Sequence, residues 1–155
     1  MEDKLSETRN AIKNGADEID YVVNLTKLKA GDTAYIESEM ARITDICREF
    51  SVVSKVIFEN CYLTEDEKKT LCHIATKVKP DFIKTSTGFG TGGATFEDVA
   101  LMKRETEGSG VKIKAAGGIR TLKTALEMIN LGVSRIGSTS SVAIMEEYMA
   151  HSPLL

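Results

Sequence analysis

Two rhythms of apolar residues take turns along this chain. One recurs every three or four positions, the spacing of a helix face, and the other is a short apolar run with polar residues at alternate positions, as in a strand. Leu5, Thr8, Ala11 and Ile12 predict a helix over 3–14, which Asn14-Gly15 ends. Ile19–Asn24 reads as a strand. Gly31-Asp32-Thr33 then opens a helix over about 33–50 carrying Ile36, Met40, Ile43, Ile46, Cys47 and Phe50. Residues 54–60 are the next strand, and Thr64-Glu65-Asp66-Glu67 is a capping-box start for a helix over about 65–78. Pro80 precedes a strand over 81–86. The glycine-rich loop 88–93 follows, and Thr95 caps a helix with Val99, Leu101 and Met102. A strand over 111–116 leads to a helix capped by Thr121 and ended by Gly132. Ser134–Gly137 is a short strand, and Val142, Ile144 and Met145 mark a last helix before a tail, Ser152–Leu155, expected to fray.

Five strands alternating with six helices imply parallel pairing, because crossover helices return the chain to the same end of the sheet. The class is therefore α/β, either an open doubly wound sheet or part of a (β/α)8 barrel. The strand interiors favour the barrel. Asp20 and Asn24, Lys55 and Glu59, Lys84 and Ser86, and Lys112 and Lys114 sit two apart, so one face of the sheet is expected to be ionic. A doubly wound sheet, covered by helices on both sides, has nearly continuous apolar strands. A complete barrel takes about 250 residues, whereas 155 residues hold about five units. The expectation is a single, incomplete barrel domain over 1–155, open at both edges. Such a sheet would pair with a copy of itself, as a homo-oligomer, or with a supplementing chain.

Composition narrows the function. Apolar residues make up 42% and charged residues 28%, with a net charge of −3. Nothing in that balance points to a nucleic-acid or membrane partner. No apolar run has membrane-spanning length, and Met1-Glu2-Asp3-Lys4 does not begin a secretory signal, so a cytoplasmic protein is expected. The three cysteines (Cys47, Cys61, Cys72) lack metal-ligand spacing and read as reduced thiols. His73 and His151 are too far apart in sequence to suggest a His-based triad or zinc site. The chemistry should rest on Lys, Asp, Glu and hydroxyls.

Asp81–Gly88 carries one lysine, Lys84, in an apolar run that ends in hydroxyls and glycine. Val111–Gly118 repeats the design with Lys112 and Lys114, of which Lys114 is the more central. A strand-end lysine reaching to solvent is the ordinary alternative for either. Two lysines at the same end of one parallel sheet would, however, favour a neutral amine, which Schiff-base chemistry needs. Asp20, between Ile19 and Tyr21, needs a cationic partner, and a structural salt bridge to one of these lysines is the plain reading. Lys55 and Glu59 are expected to pair with such neighbours. Ala116–Thr121 and Ile136–Ser140 each follow a strand and open a helix, where bare backbone N–H groups form an anion site. Two such turns in successive units suggest a phosphorylated ligand, although Ser138–Ser141 also suit a helix cap. Neither turn has a nucleotide-binding glycine pattern.

The stretch 81–95, with Glu97–Met102, resembles the core of the deoxyribose-phosphate aldolase family, class I aldolases built on a (β/α)8 barrel. Glu18-Ile19-Asp20, Lys112–Arg120 and Arg135–Ser140 match that family in order and spacing, over about residues 4–147. The resemblance implies Lys84 as the Schiff-base lysine, Lys114 as the second lysine that activates it, and Asp20 as the carboxylate of a proton relay through water. It implies Gly117, Gly118, Gly137 and Ser138 as the phosphate holders. The implied reaction is reversible cleavage of 2-deoxy-D-ribose 5-phosphate to D-glyceraldehyde 3-phosphate and acetaldehyde, without metal or cofactor. The family carries about three further βα units before the matching region. Two other functions stay open at this point: an inactive truncated relative serving as a structural or interaction module, and a different phosphosugar-binding domain. The glycines of 89–93 also suit a lid.

Overall fold

Three residues, Phe82-Ile83-Lys84, form the central strand of the sheet, and everything else is arranged to either side of them. The computed structural model describes residues 1–151. The strands are β1 (Glu18–Val22), β2 (Val53–Ile57), β3 (Phe82–Lys84), β4 (Lys112–Ala116) and β5 (Arg135–Gly137). They pair in parallel in chain order, with Asp20 beside Lys55, Lys55 beside Phe82, and Lys84 beside Lys114. The helices are α1 (Glu2–Lys13), α2 (Leu25–Lys29), α3 (Thr33–Glu49), α4 (Glu65–Val78), α5 (Phe96–Glu105), α6 (Leu122–Asn130) and α7 (Ser141–His151). The expected frayed tail lies outside the described residues.

Capping residues set where the helices begin. Asp32 accepts from Tyr35 N, Thr95 from Asp98 N and Thr121 from Thr124 N, and Thr64 and Glu67 form the expected reciprocal box. Two strands give way early to elements the sequence did not foretell. The strand expected over 19–24 stops at Val22, because the Asn24 side chain accepts from Lys27 N and caps the unforeseen α2. The strand expected over 54–60 stops at Ile57, because Glu59 turns into the left-handed region (φ 44°) and opens a 3₁₀ turn, Asn60–Tyr62.

Alternation divides each strand between two environments. Ile19, Val56, Ile83, Ile113 and Ala115 face outward and are buried under the helices. The opposite face carries Glu18, Asp20, Lys55, Lys84, Lys112, Lys114 and Arg135. That ionic face is as expected, except that Asn24, Glu59 and Ser86 lie beyond the ends of their strands and Glu18 and Arg135 have joined it. The sheet is strongly curved. Arg135 Nη1 on β5 donates to both oxygens of Glu18 on β1 at 2.7 Å. In a flat sheet these outer strands would stand about 19 Å apart, beyond the reach of one arginine and one glutamate. The curvature is that of a barrel arc, with the ionic face inside it.

The two ends of the arc differ. The buried Glu39 of α3 accepts from Lys4 Nζ at 2.9 Å and from Asn24 N at 3.0 Å, tying α1 and the end of β1 together. Past β5, Leu126, Ile129, Ile136, Met145 and Tyr148 line an apolar groove between α6 and α7. Among the described residues neither β1 nor β5 has a further strand beside it, and no helix is long and apolar enough to cross a membrane.

Candidate active site

One carboxylate organises the inner face. Asp20 Oδ2 accepts from Lys84 Nζ at 2.9 Å and from Lys114 Nζ at 3.1 Å, while Oδ1 accepts from Lys55 Nζ at 2.7 Å. The register explains the convergence. Lys84 and Lys114 are direct neighbours on β3 and β4, and Asp20 reaches them from β1 across the concave side. Lys84 is 11% exposed and Lys55 only 1%, so these amines have little water to solvate them and depend on the carboxylates. Half-burial alone would raise the Asp20 carboxyl. Hydrogen bonds from Lys55, Lys84 and Lys114 overturn that and hold it well below the usual carboxylate range. Asp20 therefore remains an acceptor throughout the physiological range.

A second anion lies below the first. Glu18 Oε2 stands 2.6 Å from Lys55 Nζ, and Glu18 is also held by Arg135. The hydrogen bonds from Arg135 and then Lys55 hold its carboxyl at about 2. The expected pairing of Lys55 is thus observed, with two partners rather than one. Glu59 does something else: it accepts from Thr87 N and from the Thr87 hydroxyl, fixing the loop that leaves β3.

The phosphate candidates also converge, at the end of the strands nearest Lys84 and Lys114. Gly117 and Gly118 adopt φ of 85° and 79°, a region in which side chains are strained. A Cβ at Gly118 would meet nothing within 4 Å, so its backbone faces open space. A Cβ at Gly93 would run into the Gly117 carbonyl, and Ala94 N donates to both Ala116 O and Gly117 O. The loop after β3 thus rests on the turn after β4. Gly137 lies against Lys114, since a Cβ there would be 3.6 Å from the lysine Cε. The Ser138 hydroxyl donates to Ile119 O at 2.6 Å and accepts from Ser140 N, so it joins the two turns. That leaves the backbone of Ser138, rather than its committed hydroxyl, as the group suited to an anion.

Sequence reasoning missed Glu18, Arg135 and the Thr87–Glu59 tie as parts of this cluster. The first two stood in the matching motifs, but nothing local signalled that they meet. Cys61 Sγ lies 3.9 Å from Glu59 Oε1, whereas Cys47 and Cys72 make no hydrogen bond to the cluster. Burial pushes the Cys47 thiol up to about 11 and the Cys72 thiol to about 12, and both are buried. Phe89, at the tip of the loop proposed as a lid, is 98% exposed.

A family model described as DeoC/LacD family aldolase matches residues 1–139. The chain belongs to the DeoC/LacD aldolases. It is 57% identical over 146 residues to a deoxyribose-phosphate aldolase of Lactobacillus acidophilus, a match covering 94% of this chain and 61% of that one. It is 50% identical to the enzyme of the same name from Bacteroides thetaiotaomicron, covering 96% of this chain and 62% of that one. Among solved structures, the aldolase QR15 superposes with a TM-score of 0.87 at 41% identity, over 95% of this chain and 65% of that one. A tetrameric deoxyribose phosphate aldolase from Aeropyrum pernix superposes at 0.84 and 27% identity, over 96% and 62%. The chain thus spans between three fifths and two thirds of the length of these DeoC/LacD relatives, and its five βα units form an arc of the TIM-type barrel.

Proposed function

We propose that this chain acts as a class I aldolase on 2-deoxy-D-ribose 5-phosphate, with Lys84 as the amine that forms the Schiff base. The observation that carries the reading is the single oxygen, Asp20 Oδ2, shared by Lys84 and Lys114. The names of the similar proteins support it.

The chemistry follows from the arrangement. Neutral Lys84 adds to the C1 aldehyde of the open-chain sugar, and loss of water gives an iminium. Loss of the proton from the C3 hydroxyl then breaks the C2–C3 bond, and its electron pair passes into C1=C2 as an enamine. D-Glyceraldehyde 3-phosphate leaves, carrying the former C3 as its aldehyde. Protonation at C2 and hydrolysis of the iminium release acetaldehyde and return the amine. Asp20, which rests ionised, orients the amines and serves a proton relay through water, taking up a proton only in passing. Lys114 supplies the second cation beside Lys84, and by repulsion favours the state in which Lys84 has given up its proton. The backbone of Gly117, Gly118, Gly137 and Ser138, near the starts of α6 and α7, would receive the 5-phosphate. In the same reading residues 1–155 are one barrel-type domain working in the cytoplasm, in deoxyribonucleotide breakdown, with a copy of itself as the expected partner.

The open edges of β1 and β5 and the apolar groove beyond β5 favour a second reading, an inactive relative that serves as an interaction module. Turnover separates the two. Acetaldehyde release from 2-deoxyribose 5-phosphate, lost in Lys84→Leu, is the expected result. A folded wild-type chain that releases none supports the second.

A further inference from the structure

The charged groups facing Lys84 come from every neighbouring strand: Glu18 and Asp20 from β1, Lys55 from β2, Lys112 and Lys114 from β4, and Arg135 from β5. Glu59, at the end of β2, is turned to Thr87 instead. Five cations therefore surround two anions, and the anions are connected. Arg135 holds Glu18 through both of its oxygens, and Glu18 holds Lys55. Lys55 in turn holds Asp20 Oδ1, and Oδ2 is left for Lys84 and Lys114. Arg135 is itself steadied by the Phe82 ring, 4.9 Å from its guanidinium carbon. Phe82 is two residues before Lys84 on the same face of β3.

We propose that Glu18, clamped by Arg135, is a positioning residue for Lys84: it shares Lys55 with Asp20 and supplies the second negative charge that sets how readily Lys84 gives up its proton. Two features set it apart from a surface ion pair. Lys55 is almost wholly enclosed, so its two carboxylates are its main solvation, and removing one forces it more fully onto Asp20. The Glu18–Arg135 pair also joins the first and last strands of the arc, at a sequence separation of 117 residues. It can therefore fix how far Asp20 stands from β3 and β4. The proposal rests on the reading of Lys84 as the nucleophilic amine.

The test measures that amine directly and does not depend on turnover. The folded chain is labelled with trace acetic anhydride across a pH series, and Lys84 acetylation is quantified by peptide mass spectrometry. In Glu18→Gln a negative charge is lost, and half-maximal labelling of Lys84 should move to lower pH by about half a unit. In Arg135→Met a positive charge is lost, and it should move to higher pH by a similar amount. Arg135→Lys, which keeps the charge, should restore the wild-type position. Both neutral variants break the same ion pair, so a merely structural role moves them in the same direction. Shifts of the same sign, or none, overturn the proposal. If one variant fails to fold, the sign of the other decides. Turnover that proves absent while the opposite shifts are present would count against the proposed function and leave this inference standing.

Discussion

The two faces of the sheet are written by alternate residues of the same five strands, yet they obey different rules. On the outer face, Val56, Ile83, Ile113 and Ala115 are buried against helices, and what matters there is apolar volume. On the inner face, Glu18, Asp20, Lys55, Lys84, Lys114 and Arg135 interlock through shared atoms, and what matters is which charge stands beside which. A core tolerates exchange of one apolar residue for another of similar size. A cluster in which one carboxylate oxygen serves two amines tolerates little, because every member sets the partner of the next. The outer face makes the arc, and the inner face gives the arc a chemistry.

Substitutions at adjacent positions of β3 should break this contrast most clearly. Lys84→Leu should lower turnover at least about 10³-fold, with stability within about 1 kcal/mol of wild type by chemical denaturation, since removing one of three cations from Asp20 leaves the anion paired. Ile83→Ala, one residue earlier, should do the reverse. Emptying a fully buried site costs about 2–5 kcal/mol, and the folded fraction should retain its turnover per molecule. If Lys84→Leu unfolds the chain, or Ile83→Ala abolishes turnover without loss of stability, the division of labour between the faces is wrong.

Asp20→Asn should have a smaller and pH-dependent effect on stability. It leaves three lysines without their shared anion, at a cost of about 2 kcal/mol at neutral pH after allowance for the partial exposure of Asp20. The folded-state carboxyl is depressed, so its stabilising contribution is present above the unfolded value, about 3.9, and is lost as pH falls from there toward the folded one. Denaturant midpoints of the wild type should therefore fall on acidification below about pH 4, and the Asn variant should show a shallower fall. Equal slopes would mean that Asp20 is not held by the three amines.

The sequence made the strand and helix alternation legible because the two apolar periods differ sharply, and helix starts were legible because Thr64, Thr95 and Thr121 are strong caps. It misled where a side chain replaced the backbone. The strand expected over 81–86 is only three residues long, because Thr85 uses its hydroxyl to donate to Ala116 O and accept from Ala116 N. The five-residue α2 escaped notice because its apolar positions follow a strand without a break, and the single sign of a new element was Asn24 as a cap. Lys84, Lys114 and Asp20 could be singled out because each is an ion in an apolar run. Their meeting at one oxygen could not be read from spacing, and neither could the Glu18–Arg135 clamp. Both depend on the sheet curving until its outer strands face each other.

The most direct measurement is borohydride reduction in the presence of 2-deoxyribose 5-phosphate, followed by peptide mass spectrometry. The account predicts one covalent adduct, on Lys84, absent in Lys84→Leu and not transferred to Lys114 or Lys55. An adduct on a different lysine, or none on a chain shown to be folded, would contradict it.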